Sequence, residues 1–350
     1  METDETVGMM KDLQDYSLLA HNTFGIEAAC SRYLEYDSTE DACRIAEMLR
    51  GSKEPLLIIG GGSNLLLTHD FQGIVVRSAI KGYEVVEDGE ATGRVLLRVG
   101  SGETWDDVVD YCVNQGWQGA ENLSLIPGDV GASAVQNIGA YGAEAGNLIQ
   151  EIEAVELATG NICVIPAAEC EYGYRQSKFK KEWKNRYLIT HVTYRLSRDM
   201  KQMNLSYGNI RSELDRRGIG EPTLRQLRGV IIAIRQEKLP DPKVQGNAGS
   251  FFMNPVVDRS LYESLQKLYP DMPHYFVDDR HEKIPAGWLI GQCGWKGRSL
   301  GRAGVHDRQA LVLVNRGGAT GEEIVKLSDT IRQDVYERFG IRIYPEVNIV

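Results

Sequence analysis

Apolar residues recur at helical spacing in three stretches of the chain and gather at strand spacing in several others. Ser38-Thr39-Glu40-Asp41 is a helix-start signature, after which Ala42, Ile45, Ala46 and Leu49 share one face until Gly51 stops the run. Thr104 opens a second helix with Trp105, Val108, Val109 and Cys112 on its inner face. Thr320-Gly-Glu-Glu323 is a capping box leading a third, with Ile324, Leu327, Ile331 and Val335 turned inward and Gly340 as its stop. Leu56–Ile59 reads as a short buried strand that runs into a glycine loop. Further strands are expected at 74–76, within 83–99 with Asp88-Gly89 as a hairpin turn, at 152–157 and 162–166, at 310–314, and at 341–350. The chain thus alternates helix and strand, passes through a glycine-rich middle at 119–144, and enters a third section near Val230, with no internal repeat and no low-complexity linker.

At 350 residues, two or three subdomains are expected, and 42% hydrophobic with 25% charged residues is an ordinary globular balance. A net charge of −10 excludes a nonspecific nucleic-acid binder, while a phosphorylated ligand would need cations gathered locally. Apolar runs such as 229–234 are too short to cross a bilayer, so no membrane association is expected. Glu2, Asp4 and Glu5 give the N-terminus neither the basic region nor the apolar stretch of a secretory signal. Cys30, Cys43, Cys112, Cys163, Cys170 and Cys293 form no CxxC pair, and HExxH is absent. Reduced thiols in a cytosolic protein without a metal are therefore expected.

Candidate chemistry sits in three glycine-lined segments. Gly60, Gly61, Gly62, Ser63 and Asn64 follow a strand as a nucleotide loop does, yet match neither GxGxxG nor a P-loop. Glycines allow close backbone approach and N–H donation to a diphosphate, and a plain tight turn is the structural alternative. The segment 125–142 packs glycines and alanines among few bulky residues, suiting backbone pressed against a flat ligand. Within it Ser133, Gln136 and Asn137 offer side-chain hydrogen bonds. The third segment, Gly246-Asn-Ala-Gly-Ser-Phe-Phe-Met-Asn-Pro255, presents Ser250 in a turn braced by Phe251 and Phe252. No histidine lies nearby in sequence, so Ser250 suits proton donation rather than nucleophilic attack.

Taken in order, these segments resemble the UDP-N-acetylenolpyruvoylglucosamine reductase family, in its long form with a tyrosine lid loop. The carrying motifs are 60–64, Ile126-Pro127-Gly128 with Gln136-Asn-Ile138-Gly-Ala-Tyr-Gly142, Tyr174-Arg-Gln-Ser-Lys-Phe179, 246–255 and Pro345-Glu346. The likeness runs from Asn22 to Val347, with Met253 standing where relatives often carry a lysine or arginine, and with 215–226 matching nothing in the pattern. It implies an α+β chain: an FAD-binding fold of the vanillyl-alcohol-oxidase/PCMH type in two subdomains, 1–80 (with the C-terminal strand 343–350) and 81–228, plus a C-terminal α+β substrate-binding domain at 229–342. It further implies noncovalent FAD held by the first two loops, including Ile126, Pro127, Gly128, Ile138 and Gly142, with NADPH as cosubstrate. The substrate implied is UDP-N-acetylglucosamine enolpyruvate, converted to UDP-N-acetylmuramate for peptidoglycan in a monomeric, cytoplasmic bacterial enzyme.

The chemistry implied is hydride addition at C3 of the enolpyruvyl group, with negative charge developing at C2 and the carboxylate. By resemblance Arg175 stabilises that charge, and Glu346 bonds the enolic system as the protonated acid or through an ordered water. Ser250 delivers a proton to C2. Tyr207 in Leu205-Ser-Tyr-Gly208 is the expected lid, and Arg235, Lys238, Asn254, Lys296 and Gln309 complete the substrate set. Two other readings remain: a flavin oxidase or dehydrogenase of the same superfamily, and a noncatalytic nucleotide-sugar sensor. Against the first, neither flavin loop carries the histidine or cysteine that often anchors FAD covalently in such enzymes.

Overall fold

In the computed structural model, which describes residues 10–89, 92–199 and 203–350, the longest strand is Tyr187–Ser197. Leu188, Thr190, Val192, Tyr194 and Leu196 are buried along it at period two, while Arg195 faces solvent. It is the middle of a five-stranded antiparallel sheet in the order Ile162–Pro166, Ile149–Glu156, Tyr187–Ser197, Arg94–Gly100, Tyr83–Gly89. The turn expected at Asp88-Gly89 comes later, because Gly89 still pairs with Arg94. A four-stranded sheet orders Lys11–Ser17, Ala29–Tyr36, Phe71–Ser78 and Leu56–Ile59, the last two in parallel.

Contacts divide the chain into two compact units, 1–16 with 30–61 and 72–235, and 17–29 with 62–71 and 236–350. The first unit ends at Arg235 and holds both sheets just described but for the end residues Ser17, Ala29 and Phe71. The acidic N-terminal positions Glu2, Asp4 and Glu5 lie outside the described residues.

The first unit's largest core packs the helix Trp105–Asn114 and the helix Val130–Gln136 on the five-stranded sheet, through Trp105, Val109, Val130, Ala134, Ile152 and Val192. The helix Thr39–Leu49 lies against Leu34, Ile74 and Val76, with Ser38 Oγ accepting from Asp41 N–H as its cap. The helix Val130–Gln136 was not expected inside the glycine-rich run. Small residues permit it there, since a Cβ on Gly131 would lie 3.1 Å from that of Ser101. The unplaced stretch 215–226 bridges two helices, Ile210–Arg216 and Leu224–Lys238, which share a core of Ile210, Leu214, Leu227, Val230, Ile231 and Ile234.

The second unit centres on the helix Gly321–Phe339, whose Thr320 and Glu323 form the expected capping box and whose Gly340 closes it at φ 69°. Two three-stranded sheets belong to the same unit: Val256–Asp258, His281–Lys283, Tyr275–Asp278, and Ser299–Leu300, Ala303–Val305, Leu313–Asn315, the second of them against this helix. The long strand expected at 341–350 is shorter. Only Asn348–Ile349 forms a ladder, parallel to Leu65–Leu66, while Pro345 bridges Phe252. The C-terminal strand and its partner are therefore both in the second unit.

Candidate active site

In the first unit the beginning of one glycine loop lies on the other. A Cβ on Gly60 would come 2.9 Å from that of Ala132, and one on Gly61 would come 3.0 Å from Asp129 Oδ1 and 3.3 Å from Gly128 Cα. Only glycine allows this approach. Beneath it Arg77 donates to Asp129 at 3.2 Å and to Glu35 at 3.0 Å. Burial raises the Asp129 carboxyl, and the charge of Arg77 opposes that rise. Leu125 enters the loop in the left-handed region at φ 59°, and its N–H donates to Asp106 at 2.5 Å. Ile126 is half-buried, Pro127 is exposed and Gly128 takes φ 115°.

Two of the side chains expected at the ligand are buried and hydrogen-bonded within the protein. Ser133, 1% exposed, donates to the Val130 carbonyl and shares a bond with the Tyr194 hydroxyl. Asn137, fully buried at φ 48°, donates to Glu144 and to the Gly173 carbonyl and accepts from Gly146 N–H. These bonds brace the loop's shape. Gln136 accepts from Lys180 Nζ at 2.6 Å, and Ile138 is half-buried.

Arg175 occupies a two-residue turn closed by reciprocal bonds between Gly173 and Gln176. It is half-buried at φ 55°, a conformation that costs on the order of 1–3 kcal/mol for a side-chain-bearing residue. Its guanidinium donates to the Gly139 carbonyl at 2.6 Å, and Lys180 donates to the Arg175 carbonyl at 3.1 Å. The Tyr207 ring meets Tyr141 edge-on, centroids 6.5 Å apart, beside Gly142, where a Cβ would lie 3.3 Å from it. Arg235 ends the same unit with its Nε buried and unpartnered. Burial lowers its guanidinium, opposed by Tyr141 and Asp106 and reinforced by Arg175. Tyr141 and Lys180 therefore join this group although neither was singled out. Tyr141 lies within the 136–142 motif, and Lys180 directly follows the 174–179 motif.

In the second unit the Ser250 turn and the Pro345-Glu346 segment run side by side. Glu346 N–H donates to the Phe251 carbonyl at 2.8 Å and Met253 N–H to the Tyr344 carbonyl at 2.9 Å. Phe251 and Phe252 are buried, with ring centroids 5.1 Å apart, so the half-buried Ser250 leaves a rigid base after Gly249 at φ 67°. Asn64 closes the other side: its Nδ2 donates to the Glu346 carbonyl at 3.4 Å, and its own carbonyl accepts from Asn348 N–H at 3.1 Å. Ser250, Glu346 and Asn64 are thus brought together by backbone hydrogen bonding. Gly62, at φ 66°, passes so close to the His21 carbonyl that any side chain would collide with it, and Ser63 follows it, half-buried.

The remaining substrate candidates differ. Asn254 Oδ1 accepts from Ala286 N–H at 2.9 Å, tying the serine turn to the helix Ala286–Gln292. Gln309 Oε1 accepts from Leu311 N–H at 3.3 Å. Lys238 is half-buried and Lys296 exposed.

The FAD-binding domain model matches residues 31–165, and the C-terminal domain model of UDP-N-acetylenolpyruvoylglucosamine reductase matches 241–350. The reductase of that name from Bacteroides fragilis is 53% identical over 338 residues, covering 96% of this chain and 99% of that protein. The one from Flavobacterium johnsoniae is 44% identical, covering 97% and 100%. Among solved structures, the UDP-N-acetylenolpyruvylglucosamine reductase of Thermus caldophilus matches with a TM-score of 0.66 at 20% identity, over 97% of this chain and 98% of that one, which speaks for the fold. With identity of this order along nearly the whole length of both chains, this chain belongs to the UDP-N-acetylenolpyruvoylglucosamine reductase family.

Proposed function

We infer that this chain reduces UDP-N-acetyl-3-O-(1-carboxyvinyl)glucosamine to UDP-N-acetylmuramate for peptidoglycan, using FAD and NADPH. The residues present fit a noncovalent FAD. Gly60 and Gly61 leave no room for side chains between the loops, and neither 60–64 nor 126–142 contains a cysteine or histidine. In this reading Ser63, Asn64 and the backbone of 126–128 hold the diphosphate, while Ser133, Gln136, Asn137, Ile138 and Gly142 shape the loop beside the ring. FAD, when bound, supplies the hydride that reaches C3 of the substrate.

Everything else falls to side chains. Arg175 is held by Gly139 in a conformation it would not adopt freely, which supports a fixed fork for the substrate carboxylate as charge develops there. Glu346 holds the enolic system, and Ser250 gives C2 its proton. The observation that carries this assignment is the pairing of the serine turn with Glu346 through the bond to Phe251. Arg235, Lys238 and Lys296 bring cations to the UDP diphosphate, assisted by Asn254 and Gln309. Tyr207 closes over the bound substrate. The FAD-binding role belongs to 1–80, 343–350 and 81–228, the substrate-binding role to 229–342, in a monomeric cytoplasmic enzyme. No helix among the described residues is long and apolar enough to cross a membrane.

Adding NADPH to purified protein should bleach the flavin's visible absorbance, and the enolpyruvyl substrate should restore it without oxygen. Bleaching without recovery on substrate would mean that the reduced flavin passes its electrons to another acceptor, and an oxidase or dehydrogenase of another donor would not bleach with NADPH. No bleaching at all would leave the sensor reading standing.

A further inference from the structure

Behind the Tyr141–Tyr207 pair, outside every residue assigned above, sits Asn122. It lies in the helical turn Glu121–Leu123 and is 2% exposed. Its Nδ2 donates to two different loops, to the Tyr141 carbonyl and to the Asn204 carbonyl, each at 2.9 Å. An amide nitrogen has two hydrogens to give, and both are used here.

From Asn204 the line continues toward Tyr207. Asn204 Oδ1 accepts from Ser206 N–H at 3.2 Å and from Ser206 Oγ at 3.0 Å, a local turn that leads directly into Tyr207. On the other side, Tyr141 is held in the left-handed region at φ 50°, where a side-chain-bearing residue needs external support. Gly142 completes the seam, since a Cβ there would lie 2.9 Å from Asn204 Nδ2 and 3.3 Å from the Tyr207 ring. One buried amide therefore sets the spacing between the loop that carries Tyr141 and the loop that carries Tyr207.

We propose that Asn122 is a positioning residue for closure over the substrate, fixing where the Tyr207 ring comes to rest. The proposal rests on the reading of Tyr207 as the closing residue. Asn122 touches no reacting atom in this scheme, so its loss should appear in substrate affinity and not in the chemical step.

Asn122→Ala should raise KM for the enolpyruvyl substrate about ten-fold, which is roughly 1.4 kcal/mol, with kcat within about two-fold of wild type. The substrate Kd measured by calorimetry on the oxidised holoenzyme should rise in parallel. Asn204→Ala, at an exposed position that does not threaten folding, should move both constants in the same direction by a smaller factor. A cycle with Tyr207→Ala separates the two layers of the argument. If Asn122 works through Tyr207, adding Asn122→Ala to Tyr207→Ala will raise KM little further. Unchanged KM and Kd in Tyr207→Ala would refute the closing role and this proposal with it. A Tyr207→Ala effect that adds in full to that of Asn122→Ala overturns the proposal while leaving Tyr207 as the closing residue, as does a silent Asn122→Ala. Should Asn122→Ala not fold, Asn122→Asp keeps the side chain's shape while removing the two donated hydrogens, and a silent Asn122→Asp beside an active Tyr207→Ala overturns it equally.

Discussion

Replacing Arg228 by methionine should destabilise the first unit by about 2–4 kcal/mol, and the figure follows from where its partners sit. Arg228 is 9% exposed on the helix Leu224–Lys238, the helix that also carries Arg235. It donates to Asp106 at 2.7 and 3.1 Å and to Asp110 at 3.1 Å. The Asp110 side chain is 54% exposed, so solvent screens that pair to less than about 1 kcal/mol. The Asp106 side chain is 23% exposed, and breaking a buried pair costs about 3–5 kcal/mol when the partner stays buried. Partial hydration and the remaining bond from Leu125 N–H bring that cost to about 2–3 kcal/mol. Methionine keeps the apolar stem, so little packing is lost. Native-state hydrogen exchange along Tyr187–Ser197 reads the first unit selectively, and urea unfolding gives the magnitude. Because Asp106 also anchors Leu125 ahead of Ile126-Pro127-Gly128, FAD should bind several-fold more weakly. A loss below about 0.5 kcal/mol would refute the argument, as would full additivity of Arg228→Met with Asp106→Asn, which would mean that the pair is not coupled.

Ser250→Ala removes one hydroxyl from a turn that Phe251, Phe252 and Gly249 still hold. Flavin bleaching by NADPH should stay near wild type in stopped-flow absorbance, while recovery on the enolpyruvyl substrate slows by about two orders of magnitude or more. Equal slowing of both phases would make Ser250 structural. Acid precipitation of the yellow protein should leave all of its flavin in the supernatant, and colour kept in the pellet would contradict noncovalent binding. The hydrogen bonds that Arg98 donates hold the Glu153 carboxyl below the usual glutamate range. Its stabilising effect is therefore complete above the unfolded value near 4.5 and is lost as pH falls through the lower folded value. In urea titrations between about pH 6 and 3, Glu153→Gln should lose less stability than wild type, and parallel curves would show that the pair contributes nothing.

What the chain by itself determined was whatever depends on neighbours a few positions apart. The caps at Ser38 and Thr320, the helical faces after them, the glycine loop at 60–64 and the serine turn are local statements, and the structure bears them out. The family likeness was legible for a related reason: it rests on short motifs in a fixed order, and the family and domain matches agree with it. What sequence left open depended on distant partners. Tyr187–Ser197 alternates as a strand should, yet its place as the central strand exists only through the two strands beside it. The helix Val130–Gln136 is built of residues that read as loop, and packing on Ser101 and Tyr194 decides it. Ser133 and Asn137 carry groups that could face a ligand or the protein interior, and only the positions of Tyr194, Glu144, Gly146 and Gly173 show that they face inward. Asn122 gave no signal at all in the sequence. Its importance is two hydrogen bonds to carbonyls 19 and 82 residues away, a relation that only tertiary folding creates.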